Sequence, residues 1–228
     1  MLFRPMIDII MLADCASDEN LEMTDNAVRS YLAQSVGCRV YLVESSGRKM
    51  NSTSKRVTII QPREKFNYNK FLQIGLGAIE NPQPFVLISN NDVVAYGNAL
   101  AEMIRSLKRF HSVSPRDETH KHHRKMKQDT AGYVVTVHVC GWCICFRREI
   151  LTRIKPADLF PVELTFWYQD NFYADMIKHF GFKHGLCIKA NVVHLESQSH
   201  SLIEEKEKHA RTHGLRDAYT ALKKKYGL

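Results

Sequence analysis

The feature that most constrains this chain is an alternation. Short apolar segments of strand length are separated by stretches with helical periodicity, from residue 7 to about residue 110. Ile7 to Leu12 is a compact apolar strand. Thr24 is placed to cap a helix in which Ala27, Val28, Tyr31 and Leu32 share a face and which stops near Gly37. Arg39 to Val43 and Val57 to Gln61 are β-rich. Asn67 is placed to cap a helix with Phe71, Ile74 and Ala78 on one side, and Phe85 to Ser89 is a buried strand that ends in polar residues. Asn98 opens a helix with Leu100, Met103, Ile104 and Leu107 turned inward. A β-α-β-α-β order predicts an α/β domain with a central, mostly parallel sheet covered by helices on both faces.

The second half is less regular. Ser112 to Thr130 carries His120, Lys121, His122, His123, Arg124, Lys125 and Lys127 without an apolar period, and reads as a basic loop. Tyr133 to Val139 reads as a strand, Cys143 to Phe146 as an apolar strand, and Arg147 to Ile154 as a short helix. Asp170 to Phe180 has helical spacing and Leu186 to His194 is a strand. From Leu202 onward the chain is helical and charged, interrupted at Gly214 and ending in Lys223, Lys224 and Lys225. A length of 228 residues suits one domain, with halves at about 1–110 and 131–200 and a tail at 201–228.

No apolar run approaches the ~20 residues that span a bilayer. The opening stretch is strand-like and followed by acids rather than a cleavage site, so a cytoplasmic protein is expected. The six cysteines are then expected to be buried free thiols. Lysine and arginine outnumber aspartate and glutamate by 32 to 24, which gives a net charge of +8 and a field that attracts phosphates.

In an open α/β sheet, ligands bind beyond the carboxyl ends of the strands. Three polar groups fall at such ends: Glu44-Ser45-Ser46, Asn90-Asn91-Asp92 and His194. Each taken alone also fits turn chemistry, and His194 also fits a core histidine bonded to backbone. The CGWC segment with His138 and Cys145 has the spacing of one half of a zinc site. No second pair follows, and the run is β-rich, which places alternate residues on opposite faces.

From about Ile7 to about Ser201 the sequence resembles glycosyltransferase family 2. YLVESS is similar to its first-half strand ending, FNYNKFLQIGLGAI to its Asn-rich helix start, and LISNNDVV to its Asp-x-Asp motif with Asn90 in the first position. GWCICFRREIL, WYQDNFYADMIKHFGFK and VVHLESQS resemble its later strand-plus-helix, acidic-pair helix and His-bearing strand. The resemblance implies a GT-A fold, a nucleotide-sugar donor and a divalent metal such as Mn²⁺ or Mg²⁺. It makes residues 1–110 the donor-binding half and 131–200 the acceptor and catalytic half. It puts Glu44, Ser45, Asn67, Asn90, Asn91 and Asp92 at the donor, with Asp92 and His194 on the metal. It makes Asp170 the general base of an inverting transfer, with Gln169 beside it in place of a second acid. Asp170 also fits a plain helix cap. Trp142 and Trp167 flank the expected acceptor side, and either also fits a core position.

A nucleotidyltransferase would want a glycine-rich phosphate loop after the first strand, and Met11 to Asn20 holds no glycine. A non-catalytic nucleic-acid-binding module would explain the charge but not the ordered acids. The basic loop, the final lysines and the tryptophans favour DNA carrying a hydroxymethylated pyrimidine as acceptor, the chemistry of bacteriophage DNA glycosylation. A saccharide or lipid-linked acceptor is the other reading.

Overall fold

A computed structural model of the chain describes residues 6–52, 54–195 and 205–228, with the side chains of 205–213 excepted. The expected start of the tail at Leu202 and the end of the VVHLESQS segment lie outside the described residues.

The core is one mixed sheet flanked by helices. Its strands are β1 (Met6–Ala13), β2 (Gly37–Glu44), β3 (Val57–Ile60), β4 (Phe85–Asn90), β5 (Val93–Ala95), β6 (Ser112–Asp117), β7 (Thr130–Ala131), β8 (Cys143–Arg147) and β9 (His184–His194). They run in the order β3-β2-β1-β4-β8-β6-β9-β5, with β7 also on β9. The expectation of a parallel sheet holds for β3-β2-β1-β4. Beyond β4 it does not: β8 is antiparallel to both β4 and β6, and β5 is antiparallel to β9, while β6 and β9 are parallel. Cys143 at the start of β8 lies opposite Ser89 near the end of β4, so β8 runs back along it from the end that Gly141 and Trp142 occupy.

The period of two along β1 explains the layers. Ile7, Ile9 and Met11 face a core with Ala27 and Tyr31 of α1 (Asp18–Leu32) and with Leu100 and Met103 of α3 (Ala99–Ser106). Ile10 and Leu12 face the other core. There they meet Phe71 and Leu72 of α2 (Tyr68–Gly77) and Phe172, Met176 and Ile177 of α6 (Gln169–His179). Between β8 and α6 lie two short helices, α4 (Glu149–Arg153) and α5 (Pro156–Leu159). The last helix, α7 (Glu205–Tyr226), buries Leu222 in this second core. It runs without a break through Gly214, so the expected interruption there is absent. All six cysteines are free and buried.

At the amino-terminal end of β1, Asp8 is fully buried and held by cations. Arg39 of β2 bonds it through Nε at 3.0 Å and Nη2 at 2.7 Å, and Arg148 reaches its other oxygen at 2.7 Å. The Gln83 N–H completes the set at 2.8 Å.

Three local expectations are corrected. Helix α1 begins six residues earlier than Thr24, because Ser17 accepts the Asn20 N–H at 3.1 Å and acids fill the first turn. Thr24 lies inside the helix and donates to the Asn20 carbonyl. Ser112 to Asp117 is not loop but a buried strand. Its hydroxyls are satisfied by the buried His184, with Ser112 Oγ 2.6 Å from Nδ1, so polarity hid a core element. The loop proper is residues 118–129, and within it His123 is fully buried while Lys121, Arg124, Lys125 and Lys127 are exposed. Tyr133 to Val139 is not a strand. The Val134 carbonyl accepts the N–H groups of Val137, His138 and Val139, and Thr136 sits at φ 67°, so a turn overrides β-branched propensity. Asn67 does cap α2, accepting the Lys70 N–H at 3.0 Å.

Candidate active site

The carboxyl ends of β1, β2, β4 and β9, the start of β8 and the start of α6 converge on one cleft of about 470 Å³. Its lining includes Asp14, Ser45, Asn90, Asn91, Asp92, Trp142, Trp167, Gln169, Asp170 and His194, with Phe66, Tyr68, Phe166 and Tyr168 as further aromatic surface. The charged side chains among these are three aspartates, with no lysine or arginine among the described residues.

Asp92 lies in the turn between β4 and β5, and His194 at the end of β9. The two are register partners by one residue: Val93 pairs with His194, and the Leu195 N–H bonds the Asp92 carbonyl at 2.9 Å. This brings His194 Nε2 to 3.3 Å from Asp92 Oδ2. Asp92 is buried and His194 half-buried, and Asp92 Oδ1 and His194 Nε2, both shielded from solvent, have no hydrogen-bond partner among the described residues. An orphaned carboxylate oxygen beside an orphaned imidazole nitrogen is a donor set that suits Mn²⁺.

Asn90 accepts from the buried Tyr68 hydroxyl at 3.1 Å, and its N–H bonds the Trp142 carbonyl at 2.9 Å. Asn91 donates to Thr24 Oγ1 at 2.8 Å. Trp142 packs one face on His194, so it does not offer two free faces to an acceptor. Trp167 lines the cleft next to Phe166.

Asp170 is the second residue of α6. Its Oδ1 accepts the Asn171 N–H at 2.9 Å, and burial raises its carboxyl above the ordinary aspartate range despite that bond. Gly141 makes room for it: a β-carbon there would sit 2.9 Å from Asp170 Cβ. Gln169 lines the cleft beside it with a buried, unpartnered Oε1.

Two expected donor residues lie outside the lining. Glu44 is fully buried. It accepts the N–H groups of Cys15 (3.2 Å), Ser46 (2.6 Å) and Gly47 (3.0 Å), the Ser46 hydroxyl, and Gln61 Nε2 (3.0 Å). Burial alone would raise its carboxyl, but these bonds outweigh it and hold it low. Its carboxylate therefore shapes the 45–47 turn, and Ser45 is the part of that turn that reaches the cleft. Asn67 is occupied as a cap and as a donor to the Val162 carbonyl at 2.8 Å. Asp14, absent from the sequence reading, lines the cleft at the end of β1 with Oδ1 accepting the Ala16 N–H. The strand-end rule that singled out Glu44 and Asn90 applies equally to Asp14. His138, Cys140, Cys143 and Cys145 form no metal cluster, and no group of three His, Cys, Asp or Glu does so among the described residues.

Comparison with protein-family models and with curated proteins finds no match. Solved structures do match. GalNAc-T7 with UDP, GalNAc and Mn²⁺ superposes with a TM-score of 0.64 at 12% identity, over 83% of this chain and 43% of that one. The mannosyltransferase PcManGT from Pyrobaculum calidifontis, in complex with GDP-Man and Mn²⁺, gives 0.62 at 14% identity, over 86% and 59%. S. aureus TarS 1–349 gives 0.55 at 14% identity, over 84% and 58%. The chain thus spans less than two thirds of each of these longer chains. At these identities the likeness concerns the fold: the chain has the GT-A α/β fold that these glycosyltransferases share. No described helix is long and apolar enough to cross a membrane.

Proposed function

We propose that this chain is an inverting glycosyltransferase that moves a sugar from a nucleoside-diphosphate sugar to an acceptor hydroxyl. The observation that carries the reading is the charge pattern of the cleft. Asp14, Asp92 and Asp170 line it without a lysine or arginine among the described residues, so the charged side chains a bare diphosphate would meet there are carboxylates. A divalent cation resolves that conflict, and the orphaned atoms of Asp92 and His194 are the residues that would hold it. When bound, the cation supplies Lewis-acid stabilisation of the charge that grows on the leaving diphosphate. The solved structures of the same fold that contain UDP or GDP-Man with Mn²⁺ support this reading.

The protein's own part is placement and proton transfer. Asn90, Asn91, Ser45 and Asp14 offer polar contacts to the donor side of the cleft. Asp170 takes the acceptor proton, and its burial makes it a stronger base than an exposed aspartate. One base and one in-line displacement give inversion. Trp167, Phe166 and Tyr168 present flat apolar surface to the acceptor.

The finer acceptor reading is DNA carrying a hydroxymethylated pyrimidine. It rests on the exposed Lys121, Arg124, Lys125 and Lys127 in the loop that follows β6. The end of β6, Asp117, pairs with Val192, two residues before His194, so this loop leaves the sheet at the cleft end. Phosphates would meet the rim, while a neutral ring, unstacked at a cost of a few kcal/mol, enters among aromatic side chains. The test is incubation of plain DNA, hydroxymethylated DNA and simple glycosides with UDP- and GDP-sugars and Mn²⁺. Products are read as nucleoside diphosphate release and as mass increments after digestion. Release with an increment on modified nucleosides alone supports the full reading. An increment only on glycosides overturns the DNA acceptor. No release with any donor and metal overturns the transferase.

A further inference from the structure

Residue 168 is a tyrosine in the left-handed region, with φ 64° and ψ 4°. A bulky aromatic residue rarely adopts that conformation, and it persists only where the surroundings impose it. Tyr168 is also the N-cap of α6, and its side chain makes no capping bond. It comes directly before Gln169 and Asp170, both of which line the cleft. Its carbonyl accepts the first helical N–H, that of Phe172, at 2.9 Å. The helix start therefore depends on a residue whose own backbone conformation is unfavourable.

The imposed contact comes from the far end of the chain. The ring of Tyr219, on α7, stacks on that of Tyr168 with centroids 5.3 Å apart and planes 14° apart. Tyr219 is itself anchored to α6. Its hydroxyl donates to Asp175 Oδ2 at 2.5 Å, and Lys223 pairs with the same oxygen at 2.9 Å while lying over the Tyr219 ring. Leu222 fixes this stretch of α7 in the core beneath. Helix α7 thus grips α6 at Asp175 and presses on the residue that turns the chain into it.

We infer that Tyr219 is a positioning residue for the transfer: by stacking on Tyr168 it holds the left-handed turn that starts α6 and keeps the Asp170 carboxylate aimed into the cleft. This rests on the proposed role of Asp170 as base. Helix α7 belongs to the reaction in this view, although none of its described side chains lines the cleft.

The experiment compares Y219L, Y219F, Y168G and the double variant Y219L/Y168G, with D170N as reference. Leucine fills space without a stacking face, phenylalanine keeps the face, and glycine adopts the left-handed conformation without help. Amide hydrogen exchange on the full chain reads the helix start independently of catalysis. In Y219L the Phe172 amide should exchange about 10-fold faster while Ile177 is unchanged, Y219F should stay near wild type, and Y168G should restore protection to Y219L. With whichever UDP- or GDP-sugar is turned over, Y219L should lose about 10-fold in kcat with donor KM within about 2-fold, since the donor side of the cleft is untouched. Unchanged Phe172 exchange in Y219L, or exchange raised equally along all of α6, overturns the inference. If D170N keeps its turnover, the base reading fails on its own. If D170N is inactive and Y219L fully active, the positioning role fails alone.

Discussion

The indole of Trp142 lies face to face on the imidazole of His194, with ring centroids 4.7 Å apart and planes 15° apart. The stack fixes the plane of His194 and leaves its Nε2 edge turned to Asp92. One residue thereby links His194 to the end of β4, because the Trp142 carbonyl also holds the Asn90 N–H. An aromatic side chain that the sequence suggests as an acceptor platform is thus tied to His194 and Asn90.

Asp92→Ala should abolish Mn²⁺-dependent donor binding, and His194→Ala should weaken it strongly. Trp142→Leu, which removes the stack on the His194 ring and keeps both Asp92 and His194, should weaken Mn²⁺ binding about 10-fold, the lower end for a residue that orients a metal ligand. Titration of Mn²⁺ by electron paramagnetic resonance, with and without UDP or GDP, measures all three. Equal Mn²⁺ affinity in wild type and the Asp92 variant would remove the metal from this site.

Asp170→Asn keeps the shape and loses the basicity, so turnover should fall about 10²–10⁴-fold while donor KM changes little. The pH profile carries a second sign. A base must be ionised, and burial raises the Asp170 carboxyl above its ordinary value. The acidic limb of kcat/KM should therefore lie at higher pH than an exposed aspartate would give, rising with pH to a plateau. A limb at the position of a free aspartate would contradict the burial of this group.

Much of the site was legible because strand ends announce themselves. An apolar run that stops at Asn90-Asn91-Asp92 or at His194 places those residues at one end of the sheet wherever the strands are parallel. Pairing was not legible. Nothing in the sequence indicates that Val93 would sit opposite His194, and that register is what brings Asp92 and His194 together. Glu44 shows the converse limit: a carboxylate at the right place was taken up by its own turn, because nearby N–H groups of Cys15, Ser46 and Gly47 needed an acceptor. The strand at Ser112 to Asp117 escaped periodicity because its serines find partners only after His184 of β9 is brought alongside.

Asp8 predicts a stability effect remote from chemistry. Removing the carboxylate leaves Arg39 and Arg148 facing a buried void and the Gln83 N–H unpaired. Asp8→Ala should cost about 3–5 kcal/mol, the usual penalty for breaking a buried pair from one side. Chemical denaturation measures it. A loss below about 1 kcal/mol would mean the cluster is solvated.

Two buried histidines predict acid sensitivity. Burial lowers His123, aided by His120, to about 4, and burial lowers His184 to about 4, against an ordinary 6.5. Their folded values lie below their unfolded ones, so the unfolded chain binds the extra protons. Stability is fully present above pH 6.5 and is lost as pH falls from there towards 4, by about 3 kcal/mol for each histidine at the low end. Denaturant midpoints measured between pH 7.5 and 4.5 should fall. His184→Gln should flatten part of that slope even if it lowers the midpoint at neutral pH.

The six buried cysteines have a practical consequence. Burial pushes their thiols up, Cys38 to about 11 and Cys143 to about 12, and none meets solvent in the folded chain. The native protein should leave a maleimide essentially unreacted, and the denatured chain should take up six equivalents. A single cysteine introduced at the exposed Lys125 would then be the one reactive thiol at neutral pH. A fluorophore attached there would report on the 118–129 loop without any native cysteine having to be replaced.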